Sequence, residues 1–223
     1  MIFTASRFRF TVTAMRQTAV ADNRPYHHGD LRRALIDAAR RLLETEGPNA
    51  LSLRAVAREA GVSPAAPYHH FKDKGELLDA VAHEGWDLLN ELMTAARASQ
   101  TSVRDKLTSL GVAYVRFARD NPALYRVMYD CSRDKDSLPE HVHAENDSAY
   151  CQVRDTLIEA GAGPMNEQEL ELATTAAWCA AHGLAEMFSF KQFDHLKVDL
   201  GGDEAFLRGV FEHMGIFAQT RHD

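Results

Sequence analysis

Residues 51–74 read LSLRAVAREAGVSPAAPYHHFKDK, two short apolar runs parted at Gly61. Ser52 precedes Leu53, Val56, Ala57 and Ala60, an apolar set at helical spacing. Its hydroxyl can accept from the first free backbone N–H groups of a short helix. Gly61 follows, where a tight turn wants a left-handed residue. Ser63-Pro64 reads as cap plus first residue of a next helix of about two turns, ending at Phe71. Pro67 at its fourth position removes only the first backbone bond of that helix, a smaller cost than a mid-helix proline. Ala57 is small enough to let the two helices cross closely, and Val62 and Phe71 can plug the far side. Two short helices joined in this way form a helix-turn-helix.

Upstream, Leu31, Leu35, Ala38, Ala39 and Leu42 give an amphipathic helix from Gly29 that Gly47-Pro48 stops. The opening 25 residues have no acidic side chain before Asp22 and no helical period, and Arg7 and Arg9 break any signal-peptide run. They are expected to be a disordered arm or a mis-assigned start, outside the fold. Downstream, the chain reads as helical almost throughout: Glu76 to about Ser99, Val103–Asp120, Ala123–Asp130, Glu140–Ala160, Glu167–Phe190 and Glu204–Gln219. Asn121-Pro122, the loop 131–139, Gly161–Pro164 and a polar connection with Gly201-Gly202 separate them. The expectation is an all-α protein of about nine helices. It has a three-helix head over residues 26–75 and a helical body over residues 76–223.

Composition narrows the function classes. The net charge is −7, but residues 1–75 carry 12 Lys/Arg against 7 Asp/Glu, whereas residues 76–223 carry 13 against 25. A basic head on an acidic body can sit beside a polyanion while the rest repels it. The longest stretch without a charged side chain, Leu172–Ala185, is 14 residues and contains His182, too short and polar for a membrane span. Cys131, Cys151 and Cys179 form no C-x-x-C pair, so a disulfide scaffold and a zinc ribbon are disfavoured and a cytoplasmic location is expected. There is no G-x-S-x-G, P-loop, G-x-G-x-x-G after a strand, or H-E-x-x-H. No enzyme activity, cofactor or metal is expected. Adjacent His69 and His70 diverge on a helix, and His141-x-His143-x-Glu145 would chelate only if extended.

A helix-turn-helix places its second helix in the DNA major groove. The fuller stretch RAVAREAGVSPAAPYHHFKDKGELL (54–78), with YHHGDLRRALIDAARRLLETEG (26–47) before it, resembles the DNA-binding domain of the TetR/AcrR family of transcriptional regulators. AYVRFARDNPALYRVMYD (113–130) and Trp178-x-x-x-His182-Gly183 resemble the effector half of a subgroup named after its Trp-His-Gly pattern. The resemblance implies a homodimeric, ligand-responsive regulator, most simply a repressor, on a near-palindromic DNA operator. Tyr68, His70 and Lys74 fall at the family's phosphate-contact positions, which fix register without reading sequence. Ser52 and the amides behind it form a second phosphate site, and Ser63 stands at the opening of the reading helix. Arg54 is the candidate for a bidentate guanine contact. In the family pattern Ala65 and Ala66 face the groove and offer only methyl contact, while His69 can reach a base or a backbone oxygen. That sparse reading surface is the best support for the alternative, an all-α small-molecule-binding or interaction protein without specific DNA binding.

In the body, Tyr114, Phe117, Met128, Trp178, Cys179 and His182 are the candidate lining of a pocket for a mostly apolar effector. Two apolar stripes, Leu170/Ala173/Ala177/Ala181/Leu184 and Phe206/Val210/Met214/Phe217, fall in the two helices that the family uses for its four-helix dimer interface.

Overall fold

The computed structural model describes residues 28–133, 148–161 and 166–214. The expected opening arm, His141–Glu145, Phe217 and the ends of two expected helices lie outside these residues. Among the described residues there are nine α-helices, two short 3-10 turns and no strand. In the head, α1 (His28–Glu46) is followed by α2 (Leu53–Glu59) and a 3-10 turn (Ala66–His69). Then come α3 (Lys74–Ala98), α4 (Val103–Asp120), α5 (Pro122–Arg133), α6 (Ala149–Glu159) and α7 (Glu167–Met187). A second 3-10 turn (Lys191–Phe193), α8 (Asp194–Asp199) and α9 (Asp203–His213) complete the order.

The starts are set by short polar side chains that accept a free helix amide. Ser52 Oγ accepts from the Ala55 amide at 3.1 Å, and Asp73 accepts from Glu76 at 3.0 Å. Asn166 and Glu169 satisfy each other's amides in a capping box at the start of α7. Between α2 and the 3-10 turn, Gly61 has φ +70°, and the Val62 amide closes back on the Ala57 carbonyl at 2.9 Å.

The reading helix departs from the sequence expectation. In place of two α-helical turns there is a single 3-10 turn, because Pro67 has no amide to give the Ser63 carbonyl. Ala66 takes that carbonyl at 3.0 Å in the tighter register, and Tyr68 and His70 continue it onto Ala65 and Pro67. Ser63 is not a side-chain cap here; it takes part through its carbonyl, and the capping position is Ala65.

The body packs around α3 and α4. α3 lies along α4, α5 and α6, while α4 also meets α7 and α9. The first expected apolar stripe turns inward within this one chain, with Ala177, Ala181 and Leu184 buried; of the second, Phe206 is buried, Val210 half-buried and Met214 exposed, and it is Phe211, outside that stripe, that joins Phe206 in the core. The buried residues hold α7 and α9 to their own core, so the first stripe cannot also face a second copy. The polar connection after Phe190 holds α8, which the sequence reading missed. Six residues carry too little period to show. It is tied down by Lys197, whose Nζ donates to the Phe188 carbonyl at 2.7 Å and lies 4.1 Å over the Phe188 ring.

α9 crosses α4 at Gly111, where a Cβ would come within 2.6 Å of the fully buried Phe211 ring. Gly111→Ala gains up to about 1 kcal/mol of helix propensity. The overlap with a ring that has no room to retreat costs about 1–3 kcal/mol. The expected result is net destabilisation, read as a lower urea midpoint at unchanged slope.

Candidate nucleic-acid interface and ligand cavity

The head core is Leu35, Ala38, Ala39, Leu42, Leu53, Val56 and Phe71, all buried. Phe71 is therefore core, with Arg32 stacked 5.4 Å from its ring centroid. What remains outside is the helix-turn-helix surface. Ser52, Arg54, Ser63, Ala65, Tyr68, His69 and Lys74 are exposed, and Ala66 and His70 are half-buried. Tyr68 keeps 54% of its surface exposed and is the only large apolar-bodied side chain left out on the head among the described residues. Arg54, Arg58 and Lys72 make no ion pair among the described residues, whereas Arg33, Arg40 and Arg41 are paired. Lys74 Nζ donates to the Pro48 carbonyl at 3.0 Å, tying the start of α3 to the loop between α1 and α2. Two of its three N–H groups are left for another acceptor.

Head and body are joined by more than the chain. Glu84 on α3 faces Arg33 at 3.2 Å and Arg40 at 3.8 Å, with 14% of its side chain exposed. Burial pushes its carboxyl above the ordinary 4.5, outweighing the pull of the arginines, with Asp37 adding repulsion. The folded state thus holds this proton more tightly than the unfolded chain. Glu84 favours folding below its unfolded value and loses that contribution as pH rises through the folded one. Glu84→Gln should therefore gain melting temperature relative to the native protein as pH rises from about 4 to 7. A variant that instead loses ground over that range would show that the arginine pair dominates.

In the body an aromatic cluster joins α3, α4, α5 and α7. Tyr114 and Tyr125 reach Nδ1 of His182 at 3.1 and 2.6 Å, and the Tyr114 and Tyr129 hydroxyls share a hydrogen bond. The Trp178 ring lies edge-on to Tyr114 at 5.1 Å and stacks near Trp86 at 6.2 Å, and Tyr150 closes on it at 5.8 Å. Burial is the main cause that raises all three phenols, Tyr125 to about 12, so they stay neutral donors at physiological pH.

Beside the cluster is a cavity of about 280 Å³, counting the space at its mouth. Its interior admits no more than about a single water. Met93, Leu107, Leu110 and Val153 form its aliphatic wall. Ala177 and Ala181 leave the room, the Gly111 backbone adds to the wall, and Tyr114 and Trp178 supply the aromatic side.

The six expected pocket residues divide. Tyr114 and Trp178 line the cavity, and His182 stands behind Tyr114. Phe117 and Met128 are fully buried core; Met128 packs on Gly85, where a Cβ would come within 2.6 Å of its sulfur. Cys179 is corrected: it is exposed, about 200° around the helix from Ala177 and Ala181. Sequence reasoning missed Trp86 on α3, Tyr125 and Tyr129 on α5 and Tyr150 on α6, which only the packing of these helices brings together. The visible signal was Tyr125 and Tyr129 at the i, i+4 spacing that shares a helix face. Among the described residues no three His, Cys, Asp or Glu gather as metal ligands, and no helix is long and apolar enough to cross a membrane.

Comparison with known proteins covers both halves. A model described as bacterial regulatory proteins, tetR family, matches residues 35–81. A second, described as the tetracyclin repressor-like C-terminal domain, matches residues 107–212. A solved protein of unknown function from Rhodococcus sp. RHA1 is 30% identical, with TM-score 0.71, over 88% of this chain and 98% of that one. A bacterial regulatory protein in the tetR family from Rhodococcus RHA1 is 24% identical, with TM-score 0.60, over 86% and 98% of the two chains. A TetR-family transcriptional regulator from Haemophilus influenzae is 19% identical, with TM-score 0.60, over 82% and 96%. These last two likenesses speak for the fold alone.

Proposed function

The chain belongs to the tetR family of bacterial regulatory proteins and is a DNA-binding transcriptional regulator, and from that premise we propose a homodimeric repressor released from a near-palindromic operator by a small molecule. One observation carries the reading. A single helix, α3, begins with Lys74 on the DNA side, holds Glu84 against α1, and reaches the cavity at Met93. Those ends stand about 28 Å apart along a rigid rod. A ligand that fits better with α3 tilted then weakens DNA binding by its differential affinity, typically about 1–3 kcal/mol, and DNA weakens ligand binding equally.

On the head, this reading gives phosphate contacts to Ser52, Tyr68, His70 and Lys74, and base-edge contacts to Arg54 and His69. Ser63, Ala65 and Ala66 complete the groove surface. The exposure of Arg54 and Tyr68 supports it. The family's dimer helices correspond to α7 and α9, and here the outer face of α7 is free for that use. It carries Leu172, Ala176, Gly183 and Met187, with open space where a Gly183 side chain would stand. The Trp-His-Gly subgroup belongs to the same proposal. Its support is that Trp178 and His182 both meet Tyr114.

The test is a gel shift with DNA flanking the protein's own gene, then release by an inducer found by screening. Trp178→Ala and His182→Ala, once shown to be folded, should hold DNA as the native protein does and fail to release it. Release at an unchanged inducer concentration would remove that residue from the response.

A further inference from the structure

We propose that residues 187–200, with α8 among them, form a clasp that closes over the Leu172–Ala176 stretch of α7 in a second copy of the chain. The inference rests on the reading of the outer face of α7 as a dimer face, and extends it to a contact that each protomer both gives and receives.

α8 is turned the wrong way for a helix whose outer side meets water. A surface helix points its charges outward and its apolar stripe inward. Here Lys197 points inward, with only 13% of its side chain exposed. Its Nζ is held by the Phe188 carbonyl and ring and lies 3.5 Å from the Asp194 carboxylate. Leu196 and Val198 on either side of it are left outside, Val198 with 78% of its surface exposed. Met187 and Phe190 are exposed just before α8, and Leu200 just after it. Five of the ten large apolar side chains exposed among the described residues thus fall within 187–200. So dense an apolar patch marks a surface that something covers.

Continuity decides what covers it. Met187 belongs both to this patch and to the outer face of α7, which runs back through Gly183 and Ala176 to Leu172. The two surfaces are one, so a second α7 that approaches at Gly183 meets the α8 segment at its edge. A two-fold interface is self-complementary: what one copy presents, the other receives. With the two α7 helices antiparallel and closest at Gly183, positions equally far on either side of it meet. Phe190 then comes opposite Ala176 of the partner subunit, and the start of α8 comes opposite Leu172 of the partner subunit. In the single chain Leu172 is 63% exposed. Its own α8 segment does not cover it, because Leu172 lies about 22 Å along α7 from Met187.

Fluorescence-detected sedimentation of the labelled full-length protein gives the dimer dissociation constant, and circular dichroism confirms that each variant is folded. Leu172→Lys and Val198→Asp alter exposed sites, where the single chain tolerates a charge. Each should raise the dissociation constant at least about tenfold, because it places a charge in an apolar contact twice per dimer. The double variant sets opposite charges across the interface and should dimerise more tightly than either single variant.

If the native protein dimerises and either single substitution leaves its dissociation constant unchanged, the clasp falls and the dimer reading stands. A double variant that is not tighter than both singles likewise overturns the pairing of α8 with Leu172 of the partner subunit. A native chain that stays monomeric at every concentration overturns the dimer reading, and this inference with it.

Discussion

Gly183→Arg should give a folded monomer whose operator affinity is lower by about two to four orders of magnitude. Gly183 lies within α7, where glycine costs about 1 kcal/mol relative to alanine. Nothing within 4 Å meets its missing Cβ, so packing inside the chain does not call for it. On the proposed dimer face, beside Leu172, Ala176 and Met187, it lets a second α7 approach closely. An arginine there keeps its own fold and holds the partner off. Linked reading heads bind a two-fold operator with a high effective concentration, and a monomer loses that advantage altogether. Sedimentation velocity reads the first half of the prediction and anisotropy of labelled operator the second. A dimer that survives the substitution would move the interface elsewhere.

Arg54→Ala and Lys74→Ala should both weaken binding, but in different ways. Arg54 is exposed in the first turn of α2 and makes no ion pair among the described residues. If it reads a guanine edge, its loss costs about 1–3 kcal/mol and relaxes preference at one operator position. Lys74 meets a phosphate in this account, so its loss should weaken all sequences alike and lower the salt slope by about one unit. Its bond to Pro48 adds a small stability cost, so thermal melting accompanies the binding curves. Equal, sequence-independent losses from the two variants would make Arg54 another phosphate contact.

The head was legible because its signals are local. Ser52, Ala57, Gly61 and Phe71 each do in the structure what their spacing implies. The reading helix was misjudged at Pro67, where one missing amide shifts the whole turn to 3-10 bonding. The body was legible as helices but not as neighbours. Periodicity shows that Ala177, Ala181 and Leu184 share an apolar face, and cannot say whether the chain's own core or a second copy covers it. The aromatic cluster was half visible for the same reason. Trp178 and His182 stood out as a motif, whereas Trp86, Tyr125 and Tyr129 gain their meaning only when α3 and α5 pack beside α7.

In the proposed function two reading heads act together on DNA, and an effector releases them. Hydroxyl-radical footprinting of the complex, with its mass determined by sedimentation equilibrium, tests this most directly. Two protomers should protect two inverted half-sites about 34–36 Å apart, or farther if overlapping dimers bind. A single protomer protecting one asymmetric half-site would contradict it.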